Sequence, residues 1–384
     1  MKMFEIPVVE LPKHTEDLRH EVRQFIKGEI ESGSFEPRCD SWLSGFSTEF
    51  SKKLGEKGWI GMTWPKKYGG RERSSLERYV VTEELLAAGA PVAGHWFADR
   101  QSGPLFLKFG TEEQRVFFLP KITKGEIFFA IGMSEPNAGS DLSAIQTSAF
   151  KVDKGWIING CKIWTSGAHK ARYMTTLCRT SPMDPKNRHR GMSQLIVDLT
   201  APGITIRPIH LMSGEHHFNE VFLEDVFVGD EMVVGEIGNG WKQVMTELAY
   251  ERSGPERFLS TFPLLNELTN ILLEKGDTTG LNIISKIVSR LWTLRNMSLG
   301  IAQLLEDGTP SNIIASLVKD QGTKFEQEMA EITRLLVSVY PSTQSGSRIE
   351  KLIAQSILHS PGFTLRGGTT EVLRGIVAKG VIQK

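Results

Sequence analysis

Three short stretches of the sequence combine hydroxyls, glycines and an aromatic or carboxylate at spacings that suit a ligand. SEPNAGSD, residues 134–141, packs two serines, small residues and a proline into a turn after the apolar run IFFAIGM. Such a turn leaves backbone N–H groups free for an anionic or polar ligand, and Ser134 and Ser140 can each donate a hydrogen bond. KIWTSG, residues 162–167, places Trp164 and Ser166 two apart. On an extended strand these side chains share one face, so both can address one planar ligand. GGTTEV, residues 367–372, reads as a helix start, with Thr369 or Thr370 as N-cap and the positive end of the helix dipole suited to a phosphate. Taken singly, these stretches also suit a polar turn, a core tryptophan and a plain helix start. Two Glu-Arg pairs, Glu251-Arg252 and Glu256-Arg257, stand in LAYERSGPERF, and adjacent charges most often form a solvated helix face. His216 and His217 in GEHHFNE lack Cys, His or carboxylate partners at ligand spacing, so they are expected to be turn residues and no metal site is expected.

The elements that must carry these residues follow from periodicity. From Thr15 to about Lys124, DLRHEVRQFIKGEI, STEFSKKLGEKGW and SLERYVVTEELLAAG repeat apolar residues at three and four, the spacing of amphipathic helices. WPKKYGG and HWFADRQSGP interrupt the pattern with Pro and Gly. Near Gly125 the texture changes to short β-rich runs separated by turn residues, which predicts a small barrel or sandwich. After GEIGNGW long helical periodicity returns, with WKQVMTELAYERSGPERFLSTFPLLNELTNILLEK as its first stretch. The expected architecture is therefore α+β and multidomain, with a helical domain over 1–124, a middle β domain over 125–234 and a helical domain over 235–384.

Lys+Arg and Asp+Glu each number 45, so no global field draws nucleic acid or an acidic membrane surface. No stretch approaches the roughly 18 apolar residues of a membrane span. The first residues carry charges throughout and no apolar core before a small-residue cleavage site, so no secretory leader is expected. Three scattered cysteines, Cys39, Cys161 and Cys178, suit a reducing cytoplasm better than a disulfide framework. GxGxxG, HExxH, P-loop and GxSxG patterns are missing, which removes the nucleotide, zinc-protease and serine-hydrolase readings they carry.

The segment FGTEEQRVFFLPKITKGEIFFAIGMSEPNAGSDLSAIQTSA, from Phe109 to Ala149, resembles the signature of the acyl-CoA dehydrogenase family. WPKKYGG at 64–70, KIWTSGA at 162–168, HFNEVFLEDVFV at 217–228, GEIGNGW at 235–241 and GGTTEVLRGIVA at 367–378 follow in the family's order and at about its spacing. The resemblance implies the family's fold, with a four-helix bundle in the C-terminal domain, and FAD as cofactor. It implies that Ile131, Met133 and Ser134 lie along the flavin pyrimidine edge and that Ser140 reaches the pyrophosphate or the pantetheine of the substrate. Trp164 would cover one face of the isoalloxazine, Ser166 would hydrogen-bond near N5, and Thr369 and Glu371 would meet the FAD pyrophosphate and ribose.

The reaction the resemblance implies oxidises an acyl-CoA thioester between Cα and Cβ, giving the trans-2-enoyl-CoA. Removal of the α-proton needs a carboxylate over Cα and donors on the thioester oxygen. Many relatives keep this carboxylate in a Tyr-Glu-Gly-Thr loop, where this sequence has Arg366, Gly367, Gly368 and Thr369. A branch resembling the isovaleryl- and long-chain-acyl-CoA enzymes carries it in a Glu-Arg pair on the first helix of the C-terminal domain, which makes Glu251 the expected base. Arg252 would contact CoA or order the helix, and the backbone N–H of Gly367 would hold the thioester oxygen. Glu256 and Arg257 are second choices.

The Arg-x-x-Phe-Gly and Gln-x-x-Gly-Gly stretches that serve FAD across a subunit interface in straight-chain members have no counterpart here. FLSTFPLLNELTN and SVYPSTQSGSRIE stand in their place. Electron-transfer flavoprotein as acceptor and a homodimer or homotetramer are implied by resemblance. Two other readings stay open: an FAD- or CoA-binding subunit of a heteromeric dehydrogenase, and a flavin oxidase or monooxygenase of the same fold.

Overall fold

A computed structural model describes residues 5–251, 254–309 and 311–382, the side chains of residues 247–251 excepted. In chain order the helices are α1 (His14–Glu31), α2 (Ser41–Ser44), α3 (Thr48–Glu56), α4 (Ser75–Ala87), α5 (Ala93–Phe97), α6 (Gly103–Phe109) and α7 (Glu112–Thr123). Seven strands follow: β1 (Phe129–Gly132), β2 (Ser148–Val152), β3 (Gly155–Lys162), β4 (Tyr173–Arg179), β5 (Met192–Asp198), β6 (Ile204–His210) and β7 (His216–Gly229). The chain then returns to helix in α8 (Gly240–Glu251), α9 (Phe262–Glu274), α10 (Thr278–Glu306), α11 (Asn312–Leu336), α12 (Arg348–Phe363) and α13 (Thr370–Ile382). The expected order of helix, sheet and helix is observed. Among the described residues no helix is long and apolar enough to cross a membrane.

The chain divides into two compact units. One comprises Met1–Phe46, Arg73–Val92 and Glu251–Lys384, and the other Ser47–Glu72 and Ala93–Tyr250. The helices of the first third are therefore shared between both units, and the expected boundaries at 124 and 234 both fall inside the second.

In the unit that holds the sheet, the strands run in the order β1, β4, β2, β3, β7, β6, with β5 paired to β4. β1 and β4 are parallel, whereas β4–β5, β2–β3, β3–β7 and β6–β7 are antiparallel. β2 pairs with β4 only at Ser148–Arg179. Ala130, Trp156, Ile158, Met174, Leu195, Val221, Leu223 and Val226 from the strands form one buried cluster. Alternation along β7 up to Leu223 is the period of a strand with one buried face. β4 is buried at every residue because its other side is covered by helices. Phe106 of α6, Phe118 of α7, Phe129 of β1 and Tyr173 of β4 form a ring cluster with centroids 5.2–5.7 Å apart. Such aromatic pairs contribute about 0.5–1.5 kcal/mol each beyond area burial.

The signature TEEQ explains how α7 is placed. Thr111 and Gln114 form a reciprocal capping box, and Gln114 Nε2 also donates to the carbonyls of Glu231 (2.7 Å) and Val233 (2.8 Å). HWFADRQSGP, expected to break the helical pattern, is instead α5, a π-helical segment (Ala98–Ser102) and α6 in succession. Pro104 stands in the first turn of α6, directly after the π-helical segment.

The other unit packs α1 on α4 and α11 on α12 and α13. Arg19 of α1 meets Glu83 (3.0 Å) and Glu84 of α4, and Arg295 of α10 donates to Glu83 at 2.6 Å. α4 starts in a capping box of Ser74 and Glu77. The stretch after GEIGNGW is not one long helix. α8 ends at Glu251, Gly254 and Pro255 intervene, and Pro255–Arg257 forms a 3-10 turn before α9.

Candidate functional site

β1 delivers the SEPNAGSD turn. Glu135 and Ala138 exchange backbone hydrogen bonds of 2.9 and 3.0 Å, closing a tight turn around Pro136 and Asn137. Glu135 points inward and accepts from the N–H groups of Gln146 (2.6 Å) and Thr147 (2.9 Å) and from Lys162 Nζ (2.8 Å). Lys162, fully buried at the end of β3, also donates to the Met133 carbonyl at 3.1 Å. Burial alone would raise the Glu135 carboxyl; the Lys162 ammonium and the hydrogen bonds outweigh it and hold the group below its usual range. Burial lowers Lys162 in turn, against the pull of Glu135. The pair fixes Met133 and Ser134, both half-buried, at the exit of β1.

Ser134 meets the second motif directly, because its carbonyl accepts from Ile163 N at 2.9 Å. Ser140 is exposed further along the turn. Next to it, Asp141 accepts from Ser143 Oγ and Arg188 Nη2, both at 2.6 Å, and these bonds hold its carboxyl low. Buried Arg179 donates to the carbonyls of Ser143, Ile145, Arg188 and Arg190, stitching the loop after Ser140 to the 180–191 loop.

The shared strand face expected for Trp164 and Ser166 is not what the chain builds. β3 ends at Lys162, Trp164 has φ 58°, and Ser166 lies half-buried in the turn that follows. Strand alternation therefore does not relate the two side chains. Left-handed backbone costs an L-residue about 1–2 kcal/mol, and a bulky residue there marks a conformation imposed by its surroundings. The indole is 54% exposed, its plane perpendicular to the Phe218 ring, with centroids 5.7 Å apart at 87°. A planar face held open in this way fits a flavin ring. His216 and His217, expected in a turn, instead begin β7. His216 stacks on His169 at 4.0 Å, and His169 is lowered to about 4 by burial and by His216.

The remaining candidates belong to the other unit. Glu251 is the last residue of α8, its side chain outside the described set, and Arg252 lies outside the described residues. Glu256 and Arg257, the second choices, are fully buried in the 3-10 turn rather than on a second face of the same helix. Gly367 has φ 66° and Gly368 φ 99°. A Cβ at position 367 would lie 3.0 Å from Arg257 Nη2 and 3.2 Å from its Cζ. Lys319, buried on α11, donates to the carbonyls of Phe363 (3.3 Å) and Gly368 (2.7 Å) and so clamps the loop from both ends. Arg366 donates to Asp40 Oδ2 at 2.6 Å and to Ser260 Oγ at 3.3 Å. Of the two threonines, Thr369 caps α13, its hydroxyl accepting from Val372 N at 3.4 Å. Glu371 is held low by its own backbone N–H and by Thr369, so a carboxylate already attends the start of α13.

The candidates thus fall into two sets. Ile131, Met133, Ser134, Ser140, Trp164 and Ser166 belong to one unit, and Glu251, Gly367, Thr369 and Glu371 to the other. Sequence reasoning missed Glu135 as the partner of Lys162, and Lys319 and Arg257 as supports of the glycine turn. The one available signal was the repeated Glu-Arg pair at 256–257.

The chain matches the family models described as acyl-CoA dehydrogenase, N-terminal domain, over residues 12–126, and acyl-CoA dehydrogenase, middle domain, over residues 130–226. Acyl-CoA dehydrogenase FadE34 of Mycobacterium tuberculosis is 35% identical over 336 residues, which cover 85% of this chain but 45% of that protein, so the chain spans under half of that relative's length. Acyl-CoA dehydrogenase FadE26 of the same organism is 30% identical over 394 residues, covering 94% of this chain and 95% of the relative. A solved structure described as the Tcur3481-Tcur3483 steroid ACAD aligns with a TM-score of 0.88 at 30% identity, over 99% of each chain. With its motifs in order from α7 to α13 and relatives matched along nearly the whole length, this chain is a member of the acyl-CoA dehydrogenase family and an FAD-dependent enzyme.

Proposed function

We propose that this enzyme converts an acyl-CoA thioester to its trans-2-enoyl-CoA, with Glu251 removing the α-proton. The observation that carries the choice of base is the Gly367 position. Its left-handed backbone and the Arg257 guanidinium 3.0 Å from where a Cβ would start favour glycine, which brings no carboxylate to the loop position that many relatives use. Glu251, the last residue of α8, then supplies the carboxylate. The Gly367 N–H donates to the thioester oxygen and stabilises the negative charge that develops as Cα loses its proton. Trp164 and Ser166, with Ile131, Met133 and Ser134, orient the isoalloxazine; Thr369 and Glu371 serve the ribose and pyrophosphate, and Ser140 and Arg252 the CoA portion. Bound FAD supplies the acceptor for the β-hydride. The electrons then pass to electron-transfer flavoprotein, and the enzyme works as an oligomer.

A bulky acyl group, such as a steroid side-chain thioester, is the substrate class favoured by the likeness to a steroid ACAD. That structure's description pairs two proteins, which favours a second reading in which this chain works with a partner of a different sequence. Anaerobic mixing of the purified flavoprotein with short-branched, long-straight and steroid acyl-CoAs tests the proposal. The expected result is bleaching of the flavin with formation of enoyl-CoA by at least one thioester. Bleaching only after a co-expressed partner is added moves the account to the heteromer, and reoxidation by air at the turnover rate would identify an oxidase.

A further inference from the structure

We infer that Asn219 is a positioning residue that holds Trp164 as a ready-made face for the flavin ring; the inference rests on the role given to Trp164 above. A bulky residue keeps a left-handed backbone only where both neighbouring peptides are fixed. On one side Ile163 N donates to Ser134 O at 2.9 Å. On the other, a single residue makes three bonds to Thr165: Thr165 N donates to Asn219 O at 3.0 Å, Asn219 N to Thr165 O at 3.1 Å, and Asn219 Nδ2 to Thr165 O at 3.0 Å. Both Asn219 and Thr165 have no exposed surface.

The amide is committed at each end. Its Nδ2 also lies 3.1 Å from His169 Nδ1, and its Oδ1 lies 2.8 Å from His216 Nε2. The amide serves the Thr165 carbonyl with a donor and His216 with an acceptor on one planar group, which an ionised carboxylate cannot do. The two residues before Asn219 hold the rest of the same loop. His217 O accepts from Gly167 N at 2.7 Å, and the Phe218 ring stands perpendicular to the indole. Three consecutive residues at the start of β7 therefore fix the backbone around Trp164 while leaving the indole open, which is the arrangement a stacking platform requires and a core tryptophan does not.

Ionised aspartate has the size of asparagine but turns the donor toward Thr165 O into an acceptor, so Asn219→Asp removes the side-chain bond of the clamp and leaves its two backbone bonds, with little change of volume. FAD affinity by equilibrium dialysis and the visible circular dichroism of the bound flavin would be measured for wild type, Asn219→Asp, Trp164→Ala and the double variant. Each single variant is expected to weaken FAD binding about ten-fold and change the flavin signal, and the double to match Trp164→Ala alone. A change in Trp164→Ala with a wild-type Asn219→Asp, or effects that add, overturns the inference. An unchanged Trp164→Ala instead removes the role of Trp164 on which it rests. Far-UV circular dichroism checks folding, and Asn219→Ser, which keeps the backbone pair and drops the amide, takes the same two outcomes should Asn219→Asp fail to fold.

Discussion

Glu326 on α11 is a carboxylate buried without exposure, accepting from Ser260 N at 2.8 Å. Burial pushes it up to about 7, with Asp40 adding to the rise and Arg366 and Ser260 opposing it. The folded state therefore holds this proton at pH values where an unfolded glutamate, at about 4.3, has released it. The resulting stabilisation is fully present below the unfolded value and is lost as pH rises through about 7, with a slope of roughly 1.4 kcal/mol per pH unit. Denaturant unfolding of wild type and Glu326→Gln between these limits should show the wild-type advantage shrinking as pH rises. His95 and His169, both lowered to about 4 mainly by burial, tilt stability the other way but cancel in this difference. A pH-independent difference would mean that Glu326 titrates normally. Trp164 shows where single residues escape sequence reading. Its type was legible, but its left-handed backbone is set by Asn219, whose amide reaches Thr165 across 54 positions.

The elements were legible where periodicity alone decides them. Amphipathic repeats marked α1, α3 and α4, and β-rich runs between turn residues marked the strands. They were illegible where Pro or Gly is absorbed, as at the π-helical join of α5 to α6, or ends a helix, as at Pro255. The buried Glu135–Lys162 pair joins two elements 27 residues apart, beyond the reach of any local pattern. Lys162→Met should strand the Glu135 carboxylate and cost about 3–5 kcal/mol in denaturant unfolding, with most of it restored by adding Glu135→Gln. A single variant that costs less than about 1 kcal/mol, or a double no better than the single, would show that the pair does not hold the turn.

For the molecule as a whole, the 45 positive and 45 negative residues balance, so neither charge nor composition pointed to CoA. The family was legible instead through motifs spread along the chain, and WPKKYGG at 64–70 and KIWTSGA at 162–168 fall where the family models match, over residues 12–126 and 130–226. The division into two interleaved units was not legible, because helices adjacent in sequence belong to different cores. In the proposed mechanism the reaction begins with transfer of one proton to Glu251. Flavin reduction should be followed anaerobically by stopped flow, with an acyl-CoA that reduces the wild type, in wild type and Glu251→Gln. The variant should bind the thioester, seen as a perturbed flavin spectrum, and reduce its flavin about 10²–10⁴ times more slowly than the wild type. Reduction by the variant at the wild-type rate would exclude Glu251 as the base.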